Sequence, residues 1–539
     1  MVKAAILQAL KSPETYGHPV DRVELVETHI SWVFIAGELT YKLKKPVNLG
    51  FLDFTSLEKR RFYCHEEVRL NRRLAAPFYL GVVCIVQDET GQVRFASEEE
   101  TPQADIADYA VQMRTIPEEC ILEHRLREGT MADTDLRLLA GRLVRFHQEA
   151  ATGPEVRRGG RIETIRANVE ENFEQTRKDI DINLSQRRYT LLKRYGLGFL
   201  DGHRDLLERR IEEDRIRECH GDLRVDHICY QGSEVFVFDC IEFNERFRHI
   251  DTTCDVAFLT MDLDFRGYKN EADAFIAAYL ELSGDADMER LLPFYQSYYA
   301  YARGKIEDLR LRDRHLGSSE HQKMLLQAEV HFALALSYAC RPEQAALIAV
   351  CGLSGTGKSR LAADLAESIR AELLRSDVLR KELHGIGPEE PAGDRYGAGI
   401  YSAEATRRTY GRLLELGGEA LSRGKTVILD ATFQKRDHRE QARRIAEDSG
   451  SPFLLIECRC PEDVVIQRLK ARADAQGDAS DAGVSIYTKQ KSGFEPIEPG
   501  GFAAYLPIET DRPPRETLQA VQEHLLETKI RRMAIEEHR

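Results

Sequence analysis

Gly352-Leu353-Ser354-Gly355-Thr356-Gly357-Lys358-Ser359 constrains the last third of this chain more than any other stretch. An apolar run of strand length, 346–351, leads into it. Arg360-Leu361-Ala362-Ala363-Asp364-Leu365-Ala366 follows, with apolar residues at helical spacing. A strand feeding a glycine-rich turn and then a helix aims successive backbone N–H groups at bound phosphates, at the positive end of the helix dipole. The eight residues match the P-loop pattern at every fixed position. Gly352, Ser354, Gly355, Thr356 and Gly357 form the expected cradle. Lys358 is expected to reach the outer phosphates, and the Ser359 hydroxyl to ligate Mg²⁺. The motif implies a nucleoside triphosphate ligand.

The surroundings of the motif alternate regularly. Strands are expected at 346–351, 372–376, 426–430, 452–458 and 504–508, and helices at 359–370, 402–423, 437–448, 461–472 and 515–527. That alternation predicts an α/β domain over 345–539, with a parallel five-stranded sheet and ligands at the carboxyl ends of its strands. Helical periodicity through 321–338 breaks at Arg341-Pro342-Glu343-Gln344, which puts a boundary near residue 340. A chain of 539 residues is multidomain. Residues 1–340 read as an α+β two-lobe domain. Its β-rich lobe covers about 20–110 with a helix near 57–74, and its helical lobe covers about 115–340 with a strand-rich island at 217–241.

Composition narrows the setting. The formal net charge of −14 counts against sequence-independent binding to nucleic acid or anionic membranes. No apolar run has the length of a membrane span, and the N-terminal residues lack a signal peptide's apolar region, so a cytoplasmic location is expected. Eleven scattered cysteines, without a CxxC pair, read as reduced thiols. Cys219, His220, His227 and Cys229 have metal-ligand chemistry, but their spacing fits no common zinc pattern.

The island supplies a second constellation: His220-Gly221-Asp222-Leu223, then Val235-Phe236-Val237-Phe238-Asp239. Its two aspartates, 17 positions apart, each stand beside an apolar strand. Phosphoryl transfer to a hydroxyl needs one carboxylate for the nucleophile and another to hold Mg²⁺ on the phosphates. Here the chain resembles the aminoglycoside phosphotransferase family, whose fold is that of protein kinases. The resemblance implies that Asp222 is the catalytic base and Asp239 a Mg²⁺ ligand. It implies too that Lys42, on the third strand, contacts the nucleotide's phosphates and pairs with Glu67. Lys44 on the same strand face rivals Lys42, and Glu66 rivals Glu67. Asp255 resembles the family's later structural aspartate. The family has asparagine as a second metal ligand five positions after the base, where this chain has His227. Imidazole is a poor Mg²⁺ ligand. Either Asp226 or Asn244 compensates at the metal, or the domain handles metal differently, or it is catalytically weak.

Features beyond the loop separate P-loop motors, switches and kinases. The strand at 426–430 ends in Asp430-Ala431, with alanine where a motor carries its hydrolytic glutamate, and no Asn-Lys-x-Asp loop marks a GTP switch. A kinase needs a carboxylate near the acceptor hydroxyl and an arginine-bearing lid. Asp377, with a helix N-cap as its plainer role, supplies the first. Arg468 and Arg472, leading into a lid at about 468–484, supply the second. Residues 346–510 resemble the small P-loop kinases of the polynucleotide-kinase, gluconate-kinase and zeta-toxin type. By that resemblance Asp377 is the acceptor-side base, Arg380 a substrate contact, and Asp430 lies near metal and substrate. Arg436 and Arg439 lie close to the acceptor, and Asp511 is a candidate for enclosing the adenine. Over nearly its full length the chain resembles bacterial fusions of an aminoglycoside-phosphotransferase-like domain with a P-loop kinase.

The expected function is a bifunctional phosphotransferase dependent on ATP and Mg²⁺, acting on small-molecule hydroxyl acceptors. One alternative keeps only the P-loop kinase active, with a nucleotide-sensing first domain. Another is a nucleic-acid 5′-hydroxyl kinase, which the acidic balance disfavours, and a non-enzymatic ATP switch is a third.

Overall fold

Ser31–Ala36 (β2) and Leu39–Lys44 (β3) face each other across a two-residue turn, where Gly37 takes the left-handed conformation at φ +64°. In the computed structural model they join Val23–Glu27 (β1), Tyr79–Gln87 (β4), Val93–Ala96 (β5) and Ile106–Arg114 (β6). The result is an antiparallel sheet of order β1-β2-β3-β6-β4-β5. The structure describes residues 4–88, 90–178, 180–311, 317–387, 399–474, 483–498, 502 and 504–536. The chain divides into two compact units, Met1–Lys178 with His203–His331, and Asp179–Gly202 with Phe332–Arg539.

In the first unit, helix Leu57–Ala75 lies on β4 and β6. Ser56 caps it by accepting the Lys59 N–H at 3.2 Å. Its buried stripe, Arg60, Cys64, Glu67, Asn71 and Leu74, keeps the three-four spacing of a core face, yet three of the five are polar. Each of the three has a partner. Arg60 Nε meets Asp108 at 2.8 Å, Glu67 meets two lysines, and Asn71 Oδ1 accepts the Cys240 N–H at 2.9 Å. A buried polar group without such a partner would cost about 1–3 kcal/mol.

The helical part of this unit includes Asp133–Glu149, Thr252–Phe265, Lys269–Ser283 and Met288–Arg310. Two small antiparallel pairs stand between them: Ile216–Glu218 (β7) with His249–Asp251 (β10), and Ile228–Gln231 (β8) with Glu234–Val237 (β9). They hold the loops 219–227 and 238–248, and so bring Asp222 and Asp239 together.

The second unit has the expected parallel sheet. Its strands are Leu347–Cys351 (β11), Glu372–Arg375 (β12), Val427–Asp430 (β13), Phe453–Arg459 (β14) and Tyr505–Glu509 (β15). All pairings are parallel, and the order β12-β13-β11-β14-β15 puts the P-loop strand in the centre. β11 is buried along its whole length, which explains its unbroken apolar run. Helix Gln186–Gly202 lies against the last helix, Pro514–Glu536, and Arg188 donates to Gln519 Oε1 at 2.7 Å. Among the described residues, no helix is long and apolar enough to cross a membrane.

Candidate functional site

The loop carrying Asp222 is positioned by a buried aspartate. Asp255 accepts the main-chain N–H of His220 through Oδ2 and of Gly221 through Oδ1, both at 2.8 Å, and meets His147 Nε2 at 3.1 Å. Gly221 sits at φ +84°, and a Cβ there would lie 2.5 Å from the Phe247 carbonyl oxygen. No other residue fits that turn without moving backbone. His220 Nε2 donates to the Phe238 carbonyl at 2.9 Å, so this loop is also tied to the one bearing Asp239. Burial pushes the His220 imidazole down to about 4, which keeps it neutral for that bond.

Lys42 reaches from β3 to both Glu67, at 2.9 Å, and Asp239. Lys44, on the same strand face, pairs with Glu67 at 2.7 Å and with Glu242. The two lysines differ in exposure. Lys42 lines a cavity of about 680 Å³ that also holds Asp222 and Asp239, while the Lys44 side chain is wholly enclosed. Glu66 pairs instead with Arg69 at 2.5 Å and Arg248 at 3.2 Å. The surrounding protein works against ionisation of Asp239. Lys42 above all nonetheless holds its carboxyl well below the usual carboxylate range. Burial likewise opposes charge on Glu67, and Lys42 and Lys44 outweigh it. Glu242 was not singled out from the sequence; burial raises its carboxyl despite Lys44.

His227 stands between the two aspartates. Its Nδ1 is 2.9 Å from the Asp222 carbonyl oxygen, and its Nε2 is 3.5 Å from Asp239 Oδ2. Arg224 lies 3.2 Å from Asp222 Oδ1, 3.2 Å from Asp226 Oδ2 and 2.8 Å from His227 Nε2. Asp226 is thereby tied to Arg224. Asn244 caps a short turn by accepting the Arg246 N–H at 3.1 Å and donates to the Phe51 carbonyl at 3.0 Å. Cys219, His220, His227 and Cys229 bring no three ligand atoms together among the described residues.

In the second unit, Gly352, Gly355 and Gly357 all have positive φ, at +142°, +81° and +83°. A Cβ on Gly352 would lie 2.8 Å from the Cys458 carbonyl oxygen, and one on Gly355 2.9 Å from Val465. The cradle therefore needs glycine at both places. Lys358 and Ser359 open helix Lys358–Ile369. Thr510 braces the loop by donating to the Thr356 carbonyl at 2.6 Å. Gln490 accepts the Ser354 N–H at 2.9 Å. Neither was found in the sequence, because both arrive from distant segments without a motif of their own.

Asp430 ends β13 in register with Val350, directly beside the loop. Burial raises its carboxyl, with Lys358 and the Ser359 hydroxyl acting the other way. Its Oδ1 is buried with no hydrogen-bond partner, and Arg375 stands 3.4 Å from Oδ2. Asp377 lies in the first turn of helix Ser376–Glu382, whose N-cap is Arg375, and its charge adds to the upward push on Asp430. Arg380 is buried under the Tyr401 ring at 4.9 Å. Arg468 donates to the Thr510 carbonyl at 2.7 Å, next to Gly357. The Arg472 side chain and residues 475–482 of the expected lid lie outside the described residues.

Two expected acceptor contacts do something else. Arg439 is fully buried and donates to the Phe433 carbonyl at 2.8 Å and the Glu495 carbonyl at 2.9 Å. It clamps Phe433, a non-glycine residue at φ +45°, rather than presenting an open guanidinium. Arg436 is largely exposed and faces Glu440 at 3.8 Å. Asp511 is exposed as well, while its neighbour Thr510 meets the loop.

A sequence-family model described as an AAA domain matches residues 347–497. The adenylyl-sulfate kinase of Myxococcus xanthus is 32% identical over 122 residues, 22% of this chain and 59% of that protein. Among solved structures, the APS kinase CysC of Mycobacterium tuberculosis is similar over 34% of this chain and 99% of its own, at 25% identity and TM-score 0.26. A choline/ethanolamine kinase family protein from Mesorhizobium loti is similar over 63% of this chain and 95% of its own, at 14% identity and TM-score 0.39. The second unit is a P-loop domain of the kinase type. The uncharacterized protein Rv2004c of Mycobacterium tuberculosis is 31% identical over 466 residues, 86% of this chain and 89% of that protein. The chain belongs to the same family as Rv2004c.

Proposed function

We propose that the chain carries two phosphotransferase sites, one in each unit, each passing the γ-phosphoryl group of ATP to a hydroxyl of a small molecule. The observation that carries this reading is Lys42 shared between Glu67 and Asp239 in the cavity that also holds Asp222. A cation held by two carboxylates at one wall and a carboxylate at the other suits a phosphate chain and an acceptor hydroxyl side by side. In the transfer, the acceptor oxygen forms a bond to the γ-phosphorus as the bond to the ADP oxygen breaks. The hydroxyl proton passes to Asp222 in the first unit and to Asp377 in the second.

The donor sets fit Mg²⁺. In the second unit, Ser359 and Asp430 would hold it, and the buried, unpartnered Oδ1 of Asp430 is an oxygen lacking a counterpart. In the first, Asp239 would hold it. The ion would neutralise charge on the phosphate oxygens. Lys358 and the loop amides bind and orient the phosphates, and Arg468 stands close enough to Gly357 to serve the same end.

A second reading has one observation in its favour. Both His227 ring nitrogens are engaged, one by the Asp222 carbonyl and the other by Arg224. A first unit that binds nucleotide without turnover would tolerate that. The test is transfer from labelled ATP into a metabolite extract supplemented with adenylyl sulfate, with wild type, Asp222→Ala and Lys358→Ala. Separate products lost in each variant support two sites. Asp222→Ala matching wild type for every product would leave only the P-loop site active.

A further inference from the structure

The cavity around Asp222 runs on between helix Ile162–Thr176, the loop 240–248 and helix Met288–Arg310. Aromatic rings line this stretch, among them Phe243, Phe247, Tyr298 and Tyr299. Three cations share it: Arg246, Arg303 and Lys305. Arg246 is neutralised by Glu171 at 2.7 Å and Arg303 by Glu307 at 3.3 Å. Asp251 also lines the wall, but its carboxylate is bound to Arg210 at 2.6 Å.

Lys305 differs from the other two cations. Its ammonium donates to two neutral oxygens, Asn172 Oδ1 at 2.6 Å and Gln175 Oε1 at 2.7 Å. No carboxylate lies within ion-pair distance of it among the described residues, and burial pushes it down to about 8. Beside it, Asn172 is 6% exposed and its Nδ2 has no hydrogen-bond partner. One turn earlier on the same helix, Asn168 Oδ1 is buried without a partner too. A half-buried ammonium with no ion pair of its own, since Glu171 nearby is paired with Arg246, next to an unpartnered amide donor, is incomplete as it stands.

We propose that the acceptor of the first unit is an anionic hydroxyl compound, whose carboxylate or phosphate seats on Lys305 and the Asn172 amide. Its apolar part lies along the aromatic wall, and its hydroxyl turns to Asp222. This rests on the phosphotransfer reading for the hydroxyl's destination. A polycation would set a charge against Lys305, the cation of this stretch without an ion pair, a like-charge arrangement that disfavours it.

The test is binding of benzoate and of phenyl phosphate to the full chain, by calorimetry, in wild type, Lys305→Gln and Lys305→Arg. Kanamycin serves as the cationic comparison. Loss of one charge-assisted contact predicts about tenfold weaker anion binding in Lys305→Gln, and near wild-type binding in Lys305→Arg. Comparing the two variants in the same chain cancels anion uptake by the P-loop. A loss confined to benzoate assigns the seat to carboxylates, and one confined to phenyl phosphate assigns it to phosphates. Equal affinity in Lys305→Gln, no uptake of either anion, or tighter uptake of kanamycin than of both would overturn the assignment. A second arm separates this inference from the reading beneath it. Extract is split into anionic and cationic fractions, and Lys358→Ala protein transfers label into each. Transfer only into the cationic fraction sinks the anionic acceptor. No transfer into either, with Lys305-dependent anion binding intact, sinks phosphotransfer and leaves the anion seat standing.

Discussion

His227 donates from Nδ1 to the carbonyl oxygen of Asp222 at 2.9 Å, a bond that fixes the ring's tautomer. A carbonyl only accepts, so Nδ1 carries the hydrogen. Nε2 then offers its lone pair, which Arg224 takes at 2.8 Å. The imidazole therefore has no free lone pair for a cation at Asp239. Asparagine at this position would offer a carbonyl oxygen, the donor Mg²⁺ prefers. His227→Asn is expected to lower the Mg²⁺ concentration at half-maximal transfer by the first unit, by about tenfold on the scale of metal-site ligand changes. Magnesium titration of Lys358→Ala protein against the double variant checks it, and an unchanged midpoint contradicts it.

Asp222→Asn keeps the side chain's shape and removes its basicity. Loss of a positioned general base costs about 10²–10⁴ in rate. Transfer by the first unit should fall by that much, while nucleotide binding changes little, because Lys42, Glu67 and Asp239 are untouched. Single-turnover rates and ATP affinity, measured together, separate this from a general loss of structure.

Much of this arrangement was legible in the sequence, where local pattern and chemistry coincide. The P-loop reads out because strand, turn and helix are contiguous, and all five strands of its sheet fall close to the periodic expectation. Asp222, Asp239, Lys42 and Glu67 come together as residues from β3, one helix and two loops, which motif and resemblance together had pointed to. What stayed hidden depends on distant partners. Arg439 reads as a residue close to the acceptor, yet carbonyls of two separate loops claim its guanidinium. Helix Gln186–Gly202 lies in the first half of the chain and groups with the second unit, because its partner, Pro514–Glu536, comes more than 300 residues later. Lys305, Asn168 and Asn172 carry no motif, and only their shared cavity singles them out.

Buried ion pairs set the acid limit of the first unit. Burial opposes charge on Asp251, but the Arg210 guanidinium holds its carboxyl below the ordinary value in the folded state. A depressed folded pKa contributes stability that is fully present above the unfolded value of about 3.9 and is lost as pH falls through the folded one. The first unit is therefore expected to lose stability below about pH 4. Asp251→Ala should cost about 3 kcal/mol at neutral pH, the low end for breaking a buried pair, since Asp285 remains at 2.5 Å from Arg210. Urea midpoints of the full chain at pH 7 and pH 3 test both statements. The variant's deficit should shrink at the lower pH.

Asp430 predicts the opposite pH signature for the second unit. Burial raises its carboxyl, and the nearby charge of Asp377 adds to the push. The carboxyl must ionise to hold a cation, so Mg²⁺ affinity should climb with pH through a range above that of a surface carboxylate. Asp430→Asn keeps the volume but removes both the charge and the titration. It should weaken Mg²⁺-dependent nucleotide binding by about 10–100-fold and flatten its pH profile. The enclosed site should otherwise survive, because the amide still fills the space beside Arg375 and Lys358. Isothermal titration of a non-hydrolysable ATP analogue into Lys42→Ala protein, whose first unit has lost its phosphate contact, with and without Asp430→Asn, isolates the P-loop contribution from pH 5 to 8. A profile that stays sloped in the variant would contradict the assignment of the titration to Asp430.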